Sequence, residues 1–413
     1  MRWIVTLAFF TISLTTLADD IPPAPEEPSL TLDECVAWTL MRHPKLTEAG
    51  FQIQQWRGTA LQAGMYPNPR LDSGNPQTIG PQRTTVLTTG LTQEIVTAGK
   101  LKLDQAAASE AARQAEWNRV KTRFEVLTLV RQEFFSTLAA QRRKALLERL
   151  LALAAKSEKT GEDLFKAERV SETDVLLLRL ERRRAELSVN TSEISLDGQK
   201  RQLAATMGVR EMKIDAVAGT LSVPLQDFAS EYVIAQILYG NPTVQMAQLE
   251  ITRNQFLLHR AEVEPIPNLS VQGGFQYSYA TDNAQGIIGV YLNIPLWNQN
   301  QGNIAAAQAA VSRANANRDV VQLELAKQLT DALQRYRIAD KTVKTLEEGI
   351  LPDALRTLDL IQKAYAVGQF DITRLLQTQR SVFEANIDYI TALENRLIAA
   401  AEIAGLLQLE EFP

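Results

Sequence analysis

From Lys100 to Thr160 the chain runs for 61 residues without a Gly or Pro, rich in Ala, Leu, Arg, Glu and Gln. Residues of this kind are strong helix formers, and one continuous helix of that length spans roughly 90 Å at 1.5 Å per residue. A second such stretch runs from Asn303 to Glu348 and continues past Pro352 to about Val367. Its apolar positions Leu325, Leu329, Leu333, Tyr336, Val343, Leu346, Ile350, Ala354, Leu358, Ile361 and Tyr365 keep an average spacing near 3.6. That period predicts nearly straight helices lying side by side, not an isolated left-handed coiled coil. Each long helix is followed by another, Ser171 to Asp197 and Asp371 to Ala404, so the chain should carry two long antiparallel helical hairpins.

The two hairpins belong to a repeat of about 200 residues. His43-Pro44 matches Asn241-Pro242, and Pro67-Asn68-Pro69-Arg70-Leu71 matches Pro265-Ile266-Pro267-Asn268-Leu269, both at an offset of 198. Gly99 matches Gly302 at an offset of 203, and Phe165 to Leu176 matches Tyr365 to Leu376 at an offset of 200. The predicted copies are 31–219, with strands about 69–96 and a tip about 165–174, and 227–413, with strands about 268–297 and a tip about 365–374.

Between the Pro-rich landmark and each long helix the period changes to two. Leu269, Val271, Phe275, Tyr277 and Tyr279 alternate with Ser270, Gln272, Gln276 and Ser278. After a turn at Asp282-Asn283, Ile288, Val290, Leu292, Ile294 and Leu296 continue the pattern to Trp297. Copy one offers Thr85, Leu87, Thr89, Leu91, Gln93 and Ile95, with a weaker first strand from Leu71 to Asn75. A soluble sheet shows the same alternation. Strands of about 10 residues with aromatic ends, following a signal peptide, fit tilted bilayer-spanning strands.

That signal peptide is residues 1–18, where a basic start, an apolar stretch and Ala18 precede Asp19-Asp20. The alternative is a short membrane anchor. Cys35 lies too far downstream to be the acylated first residue of a lipoprotein and reads as a small buried residue on a helix. Residues 19–30 read as a stiff Pro-rich linker.

Composition excludes other classes. Beyond the first twenty residues no apolar run is long enough for a transmembrane helix. One Cys and two His leave little for a protein-built metal site, and a net charge of −5 argues against a nucleic-acid binder. His43 and His259 read as packing or surface residues. The runs Arg142-Arg143-Lys144 and Arg182-Arg183-Arg184, interleaved with Glu148, Glu181 and Glu186, read as solvated helix faces. No phosphate loop, nucleophile with its base, or metal-ligand spacing is present, so neither an enzyme nor a cofactor is expected.

Four strands per chain cannot close a barrel, and lipid tolerates no open sheet edge. Eight strands enclose an interior that side chains fill, whereas twelve leave a lumen. A conduit therefore needs at least a homotrimer, whose hairpins would extend the barrel as a helical tube.

The motifs Gln93-Glu94-Ile95-Val96-Thr97-Ala98-Gly99-Lys100, Ile294-Pro295-Leu296-Trp297-Asn298-Gln299-Asn300-Gln301-Gly302-Asn303-Ile304-Ala305, and Tyr365-Ala366-Val367-Gly368 with Leu375-Leu376 and Gln379-Arg380 resemble the TolC-like outer-membrane efflux channels, in particular their cobalt-zinc-cadmium resistance branch. The resemblance covers essentially the whole mature chain. It implies a mainly α protein with membrane β: a trimeric 12-stranded β-barrel continued by a periplasmic α-helical barrel. The implied role is a passive outer-membrane duct carrying heavy-metal cations from a periplasmic adaptor (membrane fusion protein) and an inner-membrane RND-type pump. A duct for drugs or type I protein secretion, and a periplasmic scaffold without a pore, remain as alternatives.

The two tip turns lie farthest from the strands. The resemblance makes them the adaptor contact and periplasmic gate, formed by Val170, Ser171, Thr173, Asp174, Tyr365, Gly368, Phe370, Asp371, Thr373, Arg374 and Gln377. Ser171 and Asp371 also read as plain N-caps. Where the best-known member of the family carries two aspartates, this chain has Arg374 and Gln377, so a gate is expected from Arg374 with Asp174 or Asp371.

Overall fold

His43 and Asn241 each precede a proline, and each caps a helix that the proline opens. Proline has no N–H to lose in a first helical turn, and its fixed φ suits that position. His43 Nδ1 accepts from the Lys45 N–H at 3.2 Å and Asn241 Oδ1 from the Thr243 N–H at 2.9 Å. The 198-residue match is thus a match of cap chemistry, and His43 is a helix cap. The structure is a computed structural model that describes residues 29–74, 86–168, 170–209, 211–224, 240–279, 281–366 and 369–412. The signal segment, most of the 19–30 linker, Asn75, Thr85 and Gly368 lie outside the described residues.

In chain order the first repeat has β1 (Ser29–Leu30), α1 (Leu32–Arg42), α2 (Pro44–Ala63), β2 (Arg70–Gly74), β3 (Val86–Ile95), α3 (Lys100–Lys166), α4 (Glu172–Thr206) and β4 (Ala216–Val217). The second has α5 (Pro242–Glu262), β5 (Leu269–Ser278), β6 (Asn283–Leu292), α6 (Gln301–Thr345), a π-turn at Leu346–Ile350, α7 (Leu351–Ala366) and α8 (Ile372–Leu406).

Three details differ from the sequence expectation, each for a local reason. Helix α3 runs through Gly161 to Lys166, 67 residues in all. Gly161 is a contact and not a stop, because a Cβ there would collide with Leu178 of α4. The opening of α3 at Gly99 (φ 68°) is matched in α6 by Asn300 (φ 63°), not by Gly302, which is already helical. Asn is the residue besides Gly that accepts a left-handed backbone readily. Strand β6 ends at Leu292, five residues short of Trp297, because the next positions would set Pro267 opposite Ile294 and Pro295 opposite Ile266, and neither proline has an N–H for the ladder.

The stretch from α6 to α7 stays helical past Pro352 by a change of hydrogen bonding. Proline cannot donate to the carbonyl four residues back and its ring crowds that carbonyl. At Leu346–Ile350 the helix widens to a π-turn, with the Leu351 N–H donating to the Leu346 carbonyl. Helix α3 has Ala152 at the corresponding place and no such turn.

Strands β2, β3, β5 and β6 form one antiparallel sheet in that order, so β3 and β5 join the repeats. Register places Leu71, Leu91 and Ile288 on one face with Val271, Phe275, Val290 and Leu292. The other face carries Asp72, Thr92, Gln272, Gln276 and Tyr291. Among the apolar set, Ile288 is 88% and Phe275 73% exposed, so no helix among the described residues covers this face.

The helices pack side by side at two levels along α3. The first half of α3 lies between α2 and α5, with ion pairs Arg57–Glu116 and Arg260–Asp104, and α6 follows α5. The second half of α3 lies between α4 and α8, with pairs such as Arg143–Glu394. The main core is at mid-height, where Val130, Phe134 and Leu138 meet Leu203, Met207 and Leu397. Each such side chain contributes about 1.5–3 kcal/mol by leaving water. Cys35 sits in this core, fully buried on α1, as its setting in the sequence suggested. The Arg131 guanidinium is buried there too, donating to the Leu409 carbonyl at 3.1 Å and lying over the Phe412 ring. Ser29 and Leu30, expected as linker, instead pair with Ala216 and Val217, and the Gln141 amide brackets the Val217 backbone at 2.8 and 3.0 Å.

Candidate functional site

Both hairpin tips turn by the same chemistry. Ser171 Oγ accepts from the Asp174 N–H at 3.2 Å, and the Asp174 carboxylate accepts from the Ser171 N–H at 3.0 Å and hydroxyl at 2.8 Å. This is a capping box, which satisfies two of the free amides at a helix start. Asp371 accepts from the Arg374 N–H at 3.0 Å. The two caps stand 200 residues apart, matching the repeat. The sequence reading of Ser171 and Asp371 as N-caps is borne out.

A small apolar core brings the tips together. Leu178 of α4 packs with Ile372 and Leu375 of α8, and Leu358, Ile361, Tyr365 and Leu376 lean on it. Tyr365 is close enough to Asp174 to feel its charge; burial first, then that carboxylate, raises the phenol above its usual value. Val170 is half-buried, while Thr173, Phe370, Thr373, Arg374 and Gln377 are exposed at the end of the molecule.

The expected pairing of Arg374 is not found inside one chain. Its guanidinium lies 4.4 Å over the Phe370 ring, and no ion pair to Asp174 or Asp371 occurs among the described residues. Both aspartates already serve backbone amides, which makes them poorer partners for a second donor.

The charged link between the hairpins lies two turns further in. Glu181 of α4 accepts from Arg380 of α8 at 2.7 Å and from Arg184 at 3.0 Å. The basic runs are therefore more than solvated faces: Arg182 pairs with Glu158 and Glu186, Arg143 with Glu394, and Lys144 with Glu193 and Glu148. The hydrogen bond that the Lys144 ammonium donates to Glu193 is the main cause raising the Lys144 pKa. The only sequence signal for Glu181–Arg380 is its position beside two recognised motifs; the pairing crosses 199 residues. Between α3, α4 and α8 at this level lies a groove of about 220 Å³, lined by Leu150, Ala154, Ala185 and Phe383. A second groove, about 710 Å³, runs between α6 and α8 beside the π-turn.

At the opposite end, Lys100 fastens the sheet to the helices. Its side chain is 4% exposed. The ammonium donates to the carbonyls of Glu264 (3.1 Å) and Ile266 (2.7 Å) and to Asn268 Oδ1 (3.2 Å). The Asn268 amide in turn donates to Glu94 at 2.7 Å. The first strand-to-helix motif of repeat one is thus a clasp on repeat two. No group of three or more His, Cys, Asp or Glu that could hold a metal ion occurs among the described residues.

The comparisons agree with this architecture. Residues 233–407 match the family model described as outer membrane efflux protein. The chain is 24% identical over 389 residues to the cobalt-zinc-cadmium resistance protein CzcC of Cupriavidus metallidurans, covering 94% of this chain and 92% of that protein. Among solved structures, a membrane protein from Pseudomonas aeruginosa superposes with a TM-score of 0.80 at 18% identity, covering 91% of this chain and 90% of the other. CusC superposes with a TM-score of 0.79 at 16% identity, covering 91% of each. The Campylobacter jejuni CmeC outer membrane channel gives 0.75 at 14% identity, covering 92% of this chain and 87% of that one. The chain thus has the fold of the TolC-like outer-membrane efflux proteins over most of its length, and its second repeat matches their family model.

Proposed function

We propose that the protein is the outer-membrane channel of a tripartite efflux system, a passive homotrimeric duct. The observation that carries this reading is a set of matched open edges. The sheet ends in β2 on one side and β6 on the other. The upper helices end in α2 and α6, the lower ones in α4 and α6–α7. Every first edge belongs to repeat one and every second edge to repeat two. A head-to-tail contact of copies then closes all three levels in the same sense, as a rotational ring requires. Three copies give twelve strands, enough for an open lumen, with the apolar sheet face toward lipid and the polar face inward. A pore-free scaffold gives no account of an uncovered apolar sheet face.

In this reading the helices stand in the periplasm and the tips meet an adaptor, with the inter-hairpin groove at Leu150 and Phe383 offering it a seat. The pump supplies energy and selects cargo, and the chain acts as no enzyme and needs no cofactor. Likeness to CzcC favours heavy-metal cations as cargo. Arg374, paired across copies with Asp174 or Asp371, would form the entrance gate.

Single-channel recording of detergent-extracted protein in a planar bilayer tests the conduit; a non-conducting soluble protein would sink it. Growth of a deletion strain on cobalt, zinc, cadmium, nickel, copper and antibiotics tests the cargo. For the gate, Arg374→Ala should raise conductance and the leak of large antibiotics; unchanged values exclude Arg374.

A further inference from the structure

Helices α4 and α8 end in the same kind of turn. After α4, Gly208 takes a left-handed backbone at φ 82°, and the Val209 N–H donates to the Ala204 carbonyl at 3.0 Å. After α8, Gln408 does so at φ 59°, with the Leu409 N–H on the Ala404 carbonyl at 2.9 Å. A residue with a Cβ adopts this backbone less readily than glycine. The turn is kept all the same, and it sends residues 409–412 across to the middle of α3.

There they meet Arg131, which is 1% exposed. Its guanidinium donates to the Leu409 carbonyl at 3.1 Å and to the Glu410 carbonyl, and lies 5.3 Å from the centre of the Phe412 ring. Burial lowers the guanidinium pKa below its usual value, and no carboxylate opposes this among the described residues. The Glu410 carboxylate pairs with Arg123 instead, at 3.1 Å. Two carbonyls and one ring from a segment 278 residues away are thus what compensates the buried charge, and the Arg131 Nε has no partner among the described residues. The same segment reaches the start of α5, where the Gln408 amide donates to the Gly240 carbonyl at 3.3 Å. Phe412 packs against both the main core and the smaller cluster of Leu329, Ala332, Ala400 and Ile403. At the offset that carries Gly99 onto Asn300, Arg131 corresponds to Ala332, which is fully buried. The buried charge is therefore peculiar to repeat one.

We propose that residues 408–412 are a latch on which closure of the mid-height core depends, with Arg131 as its catch. A buried charge without partners is strongly unfavourable, whereas an apolar side chain of similar volume at the same place is not. Before residues 409 and 410 arrive, Arg131 has to stay in water. Its neighbours Val130 and Phe134 on α3 then stay out of the core with it. Synthesis runs from repeat one to repeat two, and early segments ordinarily fold first. Here the centre of the first long helix waits for the chain that follows the last one. A product that stops before Leu409 keeps its core open and is marked for proteolysis rather than assembly. The latch concerns how the fold is completed and holds whether or not the protein conducts.

The full chain and a chain ending at Gln408, each with Arg131 and with Arg131→Met, test this after refolding into detergent. Hydrogen exchange of α3 over residues 126–138 and the urea midpoint are the readouts. Ending the chain at Gln408 should speed that exchange roughly a hundredfold or more where Arg131 is kept, and less than about tenfold in the Arg131→Met background, with the midpoint falling in the same order. A shortened chain that refolds only with Arg131→Met supports the latch equally. Equal losses in the two backgrounds, or no loss where Arg131 is kept, overturn it. Where neither shortened chain refolds, Phe412→Leu in the full chain replaces the truncation. A larger loss with Arg131 than with Arg131→Met then upholds the latch, and equal losses overturn it.

Discussion

Gly90 of repeat one stands directly opposite Gly274 of repeat two in the β3–β5 ladder, and neither position has room for a side chain. A Cβ on Gly90 would lie 2.9 Å from the Gly273 carbonyl oxygen, and one on Gly274 would collide with the Thr89 carbonyl. These obstacles are backbone, which does not rotate away. The two repeats thus meet by close contact of main chains at the centre of the sheet. Gly274→Val should cost about 1–3 kcal/mol through overpacking and reduce the yield of folded protein on refolding into detergent. Gly286→Ala, where a Cβ meets nothing within 4 Å, serves as the control and should refold normally.

Lys100→Met removes the clasp at the strand-to-helix joint, taking the ammonium donor from the Glu264 and Ile266 carbonyls and leaving Asn268 Oδ1 only the Thr97 N–H. Hydrogen bonds to a buried charge are among the stronger ones, so a loss of about 3 kcal/mol is expected. The drop should appear as an earlier unfolding midpoint in urea. Arg57→Met, which breaks only the exposed pair with Glu116, should shift it by less than about 1 kcal/mol.

Acid should weaken the same joint. The Arg260 hydrogen bond, ahead of the Lys100 charge, holds the Glu264 carboxyl below its ordinary 4.5. A group with a lowered folded pKa stabilises the fold above its unfolded value and loses that contribution as pH falls through the folded one. Stability measured from pH 6 downward should therefore begin to fall near pH 4.5, and Glu264→Gln should flatten that part of the curve.

Alkali should act through Cys35. Burial pushes its thiol up from 9.0 to about 12. A raised folded pKa means stability that is complete below pH 9 and lost as pH rises toward 12, because only the unfolded chain releases the proton. The thiol should react with a maleimide at pH 7 only at the rate of unfolding, and Cys35→Ala should lessen the alkaline loss.

The tip caps should matter locally. Ser171→Ala and Asp371→Ala each remove a side chain that serves a helix amide, a loss of about 1 kcal/mol each. Hydrogen exchange of the first turns of α4 and α8 should quicken, while the main core around Phe134 and Leu397 stays protected.

Much of this protein is legible from neighbours in the chain. The cap residues His43, Ser171, Asn241 and Asp371, the prolines behind two of them and the alternation from Leu269 to Ser278 act within a few residues. Short-range geometry decides them, so element types and the duplication can be read directly. Where local reading missed, a distant partner was the cause. Gly161 resembles a helix end until Leu178 comes to lie against it, and the strand pattern past Leu292 looks continuous until pairing brings Pro267 and Pro295 to successive positions on opposite strands.

The functional surfaces divide in the same way. Residue pattern alone was sufficient for two strand pairs, two helical hairpins, their tips, and an apolar sheet face that has to meet something other than water. Packing alone settled which charges pair. Glu181 meets Arg380 rather than solvent, Arg374 turns onto Phe370 rather than an aspartate, and Lys100 reaches residues more than 160 positions away. The physical reason is one of range. Backbone propensity and capping are fixed by a few adjacent residues, whereas the worth of a charge depends on which groups the folded chain places within about 4 Å of it and how much water it excludes there.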